Sequence, residues 1–316
     1  MATYNGEKYI GEQISSIRSQ TYGDWKLLVS DDGSSDGTTR IVDEAIRDDS
    51  RISWAPDCGK HRGSYGNFMY LLNLSKSGYS MFCDQDDVWL PNKIEVTFNK
   101  MEELETKYPD SPIMVFTDLE VVDESLNTIS KSFDEMMGID PSRVSLKELL
   151  FAGVAPGCTI MLNKKLRDIV VGCENTGGVK VHDWWISLVA ACVGHIGYVP
   201  AATSKYRQHS SNQFGAIQTS LSKTLLTTSV RSARENILDT IKRANECYRS
   251  LGPLMSDENR QSLRAFLSIP NAPWYKRVVL LADAGIWKHG LLRKVGQAFI
   301  TMTMKFPREY QRMCSM

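Results

Sequence analysis

Three carboxylates crowd into one short segment, and they are the first residues in the sequence that point to chemistry. Asp84, Asp86 and Asp87 follow the apolar run Met81–Cys83 and precede Trp89. Like charges this close raise one another's pKa, so a compensating partner is expected. Hard cations such as Mg²⁺ take oxygen ligands and bind through one or two carboxylates together with substrate phosphates. The segment therefore predicts a divalent metal site; the alternative is a solvated loop with a helix N-cap.

A second acidic group lies in VSDDGSSDGTT, residues 29–39. The pattern predicts a strand that ends in acids and turns into a helix through capping residues. Because a carboxylate accepts hydrogen bonds from an N–H or a hydroxyl, Asp32 is a candidate for recognising a nucleotide base or ribose. An ordinary strand-to-helix loop is the alternative.

A third constellation is KVHDWW, residues 180–185, in which Asp183 precedes a predicted helix that carries Trp184 and Trp185. This arrangement suits a general base beside an aromatic platform for a sugar or an acceptor. The alternative is an N-cap aspartate without a catalytic role.

The fourth constellation is SKYRQHSSN, residues 204–212, where Arg207 and His209 alternate along a predicted strand and therefore share one face. A guanidinium in this place suits a diphosphate. The histidine suits a metal ion, although a lone histidine is more often a structural residue.

Apolar periodicity indicates which elements position these residues. The predicted segments are, in order, helix 7–20, strand 25–32, helix 36–49, strand 51–54, helix 67–77, strand 79–85, a helix with Pro91 in its first turn, and strand 112–123. Such alternation predicts an α/β fold with a mostly parallel central sheet flanked by helices. Ligands bind beyond the carboxyl ends of such strands. Three of these ends carry acids: Asp31–Asp32, Asp84–Asp87 and Asp118.

The first strand is an exception to this regular order. Polar TYNG, residues 3–6, has the character of a strand end, yet almost no strand precedes it. We expect a first strand that is cut short, or a natural start that lies upstream of Met1.

The C-terminal part is mostly helical, and we predict a catalytic domain over 1–215 and a helical extension over 216–316. Residues 270–316 contain eight Lys and Arg against two Asp and Glu, a net charge of +6. They also contain apolar side chains suited to a membrane interface, namely Trp274, Tyr275, Trp287, Leu291, Leu292 and Phe299. This composition indicates peripheral docking on an anionic membrane, or a helical cap packed on the catalytic domain.

Composition bounds the class of protein. Of the 316 residues, 42% are hydrophobic, which supports a folded core. Lys+Arg and Asp+Glu each total 37, so the chain is not a nucleic-acid polycation. Seven cysteines lack zinc or redox spacing, which predicts reduced thiols in a cytoplasmic compartment. No apolar run reaches the roughly 18 residues of a spanning helix.

Taken in order, five motifs resemble the family 2 glycosyltransferases of the GT-A fold: TYNGE, DDGSSD, DQDD, HDWW and YRQH. The resemblance runs from Thr3 to about His209, two thirds of the chain. HDWW, YRQHSSN and the helical tail at 273–299 look most like the rhamnosyltransferase-like branch that builds bacterial surface polysaccharides.

The resemblance implies a role for each matching residue. Thr3, Tyr4 and Glu7 stand where the family contacts base and ribose, and Asp32 stands where an acid meets the pyrimidine N–H. The resemblance places Arg62 and Arg207 near the donor. It implies that Asp84 and Asp86 form the D-x-D that holds Mg²⁺ or Mn²⁺ on the diphosphate, with Asp87 as their support and His209 near the metal. It also implies that Asp183 is the base and that Trp184 and Trp185 lie near the acceptor.

The implied reaction is an inverting transfer of a sugar from a dTDP- or UDP-sugar to a hydroxyl of a growing polysaccharide or lipid-linked acceptor. It implies an enzyme of the cytoplasm, peripheral on the inner face of the cell membrane. Two alternatives stay open: a nucleotidyltransferase that acts on sugar phosphates, and a catalytically impaired sugar-nucleotide-binding protein if the N-terminus is truncated.

Overall fold

The computed structural model describes residues 1–57, 59–173, 179, 181–209 and 230–315. In these residues the strands are β1 Ala2–Thr3, β2 Leu27–Asp31, β3 Ile52–Trp54, β4 Tyr79–Met81, β5 Val88–Trp89, β6 Ile113–Val122, β7 Thr128–Ser130, β8 Met161–Asn163 and β9 His195–Arg207. The helices are α1 Ile10–Arg18, α2 Thr38–Asp48, α3 Gly63–Leu74, α4 Lys93–Lys107, α5 Phe133–Met137, α6 Leu146–Leu149, α7 Lys164–Gly172, α8 His182–Val193, α9 Val230–Leu251, α10 Asp257–Ser268, α11 Trp274–Ala284, α12 Leu291–Thr303 and α13 Arg308–Met313.

Two sheets carry the loops of interest. The first is parallel, in the order β1-β2-β3, and the second has the order β4-β8-β6-β9-β5 with β7 paired to β6. The α/β class with flanking helices is confirmed, but only the first sheet is parallel throughout. In the second sheet β6 and β9 run parallel, while β4, β5, β7 and β8 each pair antiparallel. Apolar runs do not encode strand direction, because a strand buried on both faces has the same pattern in either direction.

One apolar core joins the second sheet to the C-terminal helices. It contains Phe116 of β6, Trp185 of α8, Ile241 of α9, Phe266 of α10 and Leu281 of α11. Helices α9 to α13 therefore cover this sheet on the side of α8. The expected boundary between residues 215 and 216 lies outside the described residues.

Two other features concern thiols and helix length. The six described cysteines are unpaired, and five of them are buried. Within the described residues, no helix combines the length and the apolar character that crossing a bilayer requires.

Gly194 sets the approach of α8 to β6 and generates a prediction about stability. A Cβ atom at this position would overlap the carbonyl oxygen of Pro112, directly before β6. We expect Gly194→Ala to lower the free energy of unfolding by about 1–3 kcal/mol in a denaturant titration, because the backbone must shift to relieve the overlap. Gly172→Ala is the matched control, since open space surrounds that glycine. Equal midpoints and slopes for Gly194→Ala and the unmodified protein would contradict this packing.

Candidate active site

The acidic segment forms the turn between β4 and β5. Ligand atoms of Asp84, Asp87 and Cys158 all lie within 4.8 Å of one another. Asp87 is fully buried, and its Oδ2 has no hydrogen-bond partner among the described residues. Two convergent carboxylates with an unpartnered buried oxygen fit a hard divalent cation.

Asp86, the middle acid of this turn, is paired with a residue that lies just beyond β9. His209 Nε2 lies 2.9 Å from Asp86 Oδ2. His209 was predicted to share a strand with Arg207, but β9 ends at Arg207, so His209 lies in the loop beyond it. The turn therefore carries one fully buried acid, Asp87, and two half-buried acids, Asp84 and Asp86, of which Asp86 is paired with His209.

Crowding and burial shift the titration of the acids. Burial, followed by the charges of Asp86 and Asp183, raises the pKa of Asp84 to about 7. Burial, followed by Asp86 and Asp84, also raises the pKa of Asp87 well above its usual value. Two buried cations are nearby, Lys93 and the Met1 ammonium, and burial lowers the pKa of both; Lys93 Nζ donates to Thr203 Oγ1 at 3.0 Å. This excess of negative charge favours binding of a cation.

Asp183 is the second residue of α8 and does not precede it as predicted, because α8 begins at His182. Its Oδ1 accepts from Trp184 N at 2.5 Å, and its Oδ2 accepts from Gly157 N at 3.1 Å. Burial raises the pKa of Asp183 to about 6. Two backbone N–H groups thus orient the Asp183 carboxylate, and its pKa suits a general base that works near neutral pH.

A 3₁₀ turn, Gly157–Thr159, joins Asp183 to the acidic segment. Gly157 donates its N–H to Asp183, and the next residue, Cys158, contacts Asp84 and Asp87. A Cβ atom on Gly157 would lie 2.5 Å from His182 Nε2. Gly157 and Cys158 belong to no recognisable motif, so this turn was not predictable from the sequence.

His182 supports this turn from beneath. It is buried and stacks on Phe68 at 4.3 Å between ring centroids, and burial lowers its pKa to about 3. It is therefore a neutral ring packed beside Asp183 rather than a second proton carrier.

The two tryptophans after Asp183 have different environments. Trp185 is fully buried in the core, so its predicted place beside an acceptor is wrong. The helical phase turns it away from the surface that Trp184 borders. Trp184 is half-buried, donates from Nε1 to Leu149 O at 2.6 Å, and has the Arg243 guanidinium 4.3 Å from its ring centroid.

The predicted donor residues of the first sheet lie at its carboxyl edge. Thr3 Oγ1 donates to Asp31 Oδ1 at 2.9 Å, and Tyr4 is exposed. Glu7 is exposed, and its carboxylate accepts from Gly37 N. Glu7 thus ties the loop after β1 to the loop before α2.

The side chain of Asp32 binds the backbone N–H of Arg62. Asp32 accepts from Arg62 N at 2.5 Å and from Gly63 N at 3.0 Å. The Arg62 guanidinium stacks on Tyr70 at 3.8 Å and donates to the carbonyl of Asp57. Asp32 thus fixes the start of α3 at the edge where Tyr4 is exposed.

Gln85 connects the two sheets, and the sequence analysis missed it. Tyr4 N donates to Gln85 Oε1 at 2.8 Å, and Gln85 Nε2 donates to Tyr4 O at 2.9 Å. This bidentate pairing fixes the loop after β1 against the acidic turn. Its position between Asp84 and Asp86 was the available signal.

Arg207 has a different role from the predicted diphosphate contact. Its side chain is buried and donates to Asp86 O at 2.8 Å, to Glu124 O at 2.6 Å and to the Glu12 carboxylate. The diphosphate assignment needs correction, because these acceptors occupy the guanidinium beneath the acidic turn. Arg207 instead holds the backbone that presents Asp86.

Comparison with known proteins identifies the family of this chain. A family model described as "Glycosyl transferase family 2" matches residues 1–170. The dTDP-rhamnosyl transferase RfbG of Shigella flexneri is 28% identical over 226 residues, 68% of this chain and 74% of that protein. The Escherichia coli WfgD, a UDP-Glc:alpha-D-GlcNAc-diphosphoundecaprenol beta-1,3-glucosyltransferase, is 39% identical over 101 residues, 32% of this chain and 39% of that protein.

A solved structure is similar in fold. S. aureus TarS 1–349 in complex with UDP-GlcNAc superposes with a TM-score of 0.51 at 12% identity, covering 98% of this chain and 90% of that chain. The expected GT-A fold and the expected family are confirmed.

The raised pKa of Asp84 generates a prediction about stability and metal binding. The pKa of Asp84 is about 7 in the folded protein and 3.8 in the unfolded chain, so the folded state holds this proton more tightly. The free energy of unfolding therefore falls as pH rises from about 4 to 7 and Asp84 ionises. We expect Asp84→Asn to raise the free energy of unfolding of the metal-free protein at pH 8 by on the order of 1–3 kcal/mol, with little effect at pH 4.

The same melts with and without Mn²⁺ complete this test. Mn²⁺ should raise the melting temperature of the unmodified protein, and of the exposed control Asp24→Asn, but not that of Asp84→Asn. A lower melting temperature of Asp84→Asn at pH 8 would contradict the electrostatic cost assigned to Asp84. A full response of Asp84→Asn to Mn²⁺ would show that Asp84 is not part of the cation site.

Proposed function

The chain belongs to glycosyl transferase family 2, and from this premise we propose that it is an inverting enzyme that transfers a sugar from a nucleoside diphosphate to a hydroxyl. One observation supports this most strongly: the adjacent residues Gly157 and Cys158 contact Asp183 on one side and Asp84 with Asp87 on the other. A base and a cluster suited to a diphosphate-bound cation are therefore close neighbours.

The reaction requires one proton transfer and one displacement. Asp183 removes the proton from the acceptor hydroxyl, whose oxygen forms a bond to the anomeric carbon. The bond from that carbon to the diphosphate oxygen breaks, and its electron pair leaves with the nucleoside diphosphate. Attack from the face opposite the leaving group inverts the anomeric configuration, so no covalent intermediate with the enzyme is needed.

The acidic turn would hold Mg²⁺ or Mn²⁺ through Asp84 and Asp86, with His209 beside Asp86 and Asp87 behind Asp84. When bound, a divalent cation supplies positive charge that stabilises the leaving diphosphate. The chain's own contribution is to fix the carboxylates: Arg207 holds the Asp86 carbonyl, and Gln85 holds the turn against Tyr4.

We propose that the donor nucleotide lies at the carboxyl edge of the first sheet, in contact with Thr3, Tyr4, Glu7, Asp32 and Arg62. The exposed Tyr4 ring suits a base, and the Asp32 carboxylate suits a pyrimidine N–H. Similarity to a dTDP-rhamnosyl transferase supports a dTDP- or UDP-sugar, with rhamnose as the favoured sugar.

We propose that the acceptor is a hydroxyl of a growing polysaccharide or a lipid-linked glycan, bound near Trp184. Similarity to an enzyme named for a diphosphoundecaprenol substrate supports this class. The enzyme would then work in the cytoplasm at the inner face of the cell membrane. In this scheme residues 1–215 form the catalytic domain, and residues 216–316 form its helical extension.

The proposed base generates a kinetic prediction. Asp183→Asn keeps the shape of the side chain and removes its basicity, so kcat should fall by about 10²–10⁴-fold while the affinity for the donor nucleotide persists. In the unmodified enzyme the rate should fall as pH drops through about 6, because protonated Asp183 cannot accept the acceptor's proton.

Steady-state kinetics from pH 5 to 9, together with nucleotide titration of each variant, provide the measurement. Asp168→Asn is the matched control, because this carboxylate is exposed and pairs with Lys164 away from the site. A lost affinity for the donor with a nearly unchanged kcat would show that Asp183 binds the donor and is not the base.

A further inference from the structure

Helix α12 has an inverted distribution of polarity. Its buried residues are the polar Gln297 and Thr301. Its exposed residues include, besides Arg293 and Lys294, four large apolar side chains: Leu291 at 78%, Leu292 at 85%, Val295 at 61% and Phe299 at 61%. A helix that packs on a protein core normally turns its apolar face inward and its polar face to water.

Helix α11 packs beside α12 and extends the same kind of surface. Trp274, Tyr275 and Val279 on α11 are each about 60% exposed. These three residues and the four exposed apolar residues of α12 are called the outer face below. Seven large exposed apolar side chains on two adjacent helices are typical of an interaction site.

The two helices are held rigidly, so the exposure of the outer face is a property of the folded hairpin. Arg277 of α11 donates to the carbonyls of Ala272 at 3.0 Å and Met304 at 2.6 Å. The buried Gln297 accepts from Lys288 N at 2.7 Å and donates to Ile286 O at 3.0 Å. The buried face of α12 is therefore anchored by hydrogen bonds of Gln297 to the segment between the two helices, and the apolar residues of α12 lie on its exposed face.

Charge identifies the partner. Residues 270–316 carry a net charge of +6 in a chain whose total is zero, so residues 1–269 carry the balancing −6. Exposed cations next to the outer face include Lys276, Arg293 and Lys294. A second copy docking through the same face would bring like charges together, whereas an anionic lipid surface meets both the apolar residues and the cations.

We propose that the outer face docks the protein on an anionic membrane, with the aromatic and aliphatic side chains in the interfacial layer and the basic residues against lipid headgroups. This proposal identifies the surface behind the peripheral association proposed above, yet it is independent of sugar transfer. Charge asymmetry along the chain would orient the molecule, with its basic helices toward the lipid.

The test is co-sedimentation of the full chain with vesicles made of equal parts of phosphatidylcholine and phosphatidylglycerol, at low and high ionic strength. We expect binding at low ionic strength that weakens with salt. The double variant Leu292→Ser/Phe299→Ser should lose about tenfold or more in partitioning, because exposed apolar area drives interfacial insertion. Arg293→Glu/Lys294→Glu should lose roughly fivefold or more per charge at low ionic strength.

The control is Ile129→Ser/Leu254→Ser, which changes two exposed apolar residues elsewhere and should bind like the unmodified protein. Melting curves confirm that each variant folds. Absence of binding at low ionic strength, equal binding to pure phosphatidylcholine, or unchanged binding by Leu292→Ser/Phe299→Ser would each overturn the proposal. So would self-association that the same double variant abolishes in the absence of vesicle binding. Loss of sugar transfer with intact vesicle binding would instead count against the transferase assignment alone.

Discussion

Crowding of desolvated carboxylates is the constraint on which the rest of the structure depends. Asp87 is fully buried and Asp84 beside it is half-buried, with Asp86 next to them and Asp183 close enough to raise the pKa of Asp84. Buried like charges are costly unless a cation compensates them. Nearby cations donate to other groups: Lys93 to hydroxyls of β9, Arg207 to Glu12 and backbone carbonyls, and the Met1 ammonium to the carbonyl of Leu28. The fold thus maintains a negative site that a divalent ion would complete.

Hydrogen bonds to backbone groups keep this arrangement in place. Gln85 pairs with the backbone of Tyr4, and Arg207 supports the carbonyl of Asp86. The N–H of Gly157 orients Asp183, and the neutral ring of His182 leaves no room for a larger residue at position 157. The proposed donor edge, cation site and base are therefore mechanically coupled, so a change in one loop is expected to reach the other two.

Sequence reasoning succeeded where local pattern determines structure and failed where long-range packing does. The strands ending at Asp31 and near Asp84 were predictable, because apolar runs followed by acids are visible in the sequence. The burial of Trp185 was not, since only the packing of α8 decides which of two adjacent tryptophans faces the core. Arg207 was misassigned because its acceptors come from distant loops. β8 was missed because it has only three residues, all buried, and such a short run gives no periodic signal.

Transfer of a sugar, rather than of a nucleotide, is the central claim, and the identity of the released phosphate tests it most directly. Phosphorus NMR of the full chain with Mn²⁺, a dTDP- or UDP-sugar and a glycan acceptor would follow both phosphates of the donor. The account predicts release of the nucleoside diphosphate together with a glycoside of inverted anomeric configuration, and loss of both signals in Asp183→Asn. Formation of a nucleotide sugar with release of pyrophosphate, when a sugar phosphate and a nucleoside triphosphate are supplied instead, would contradict it.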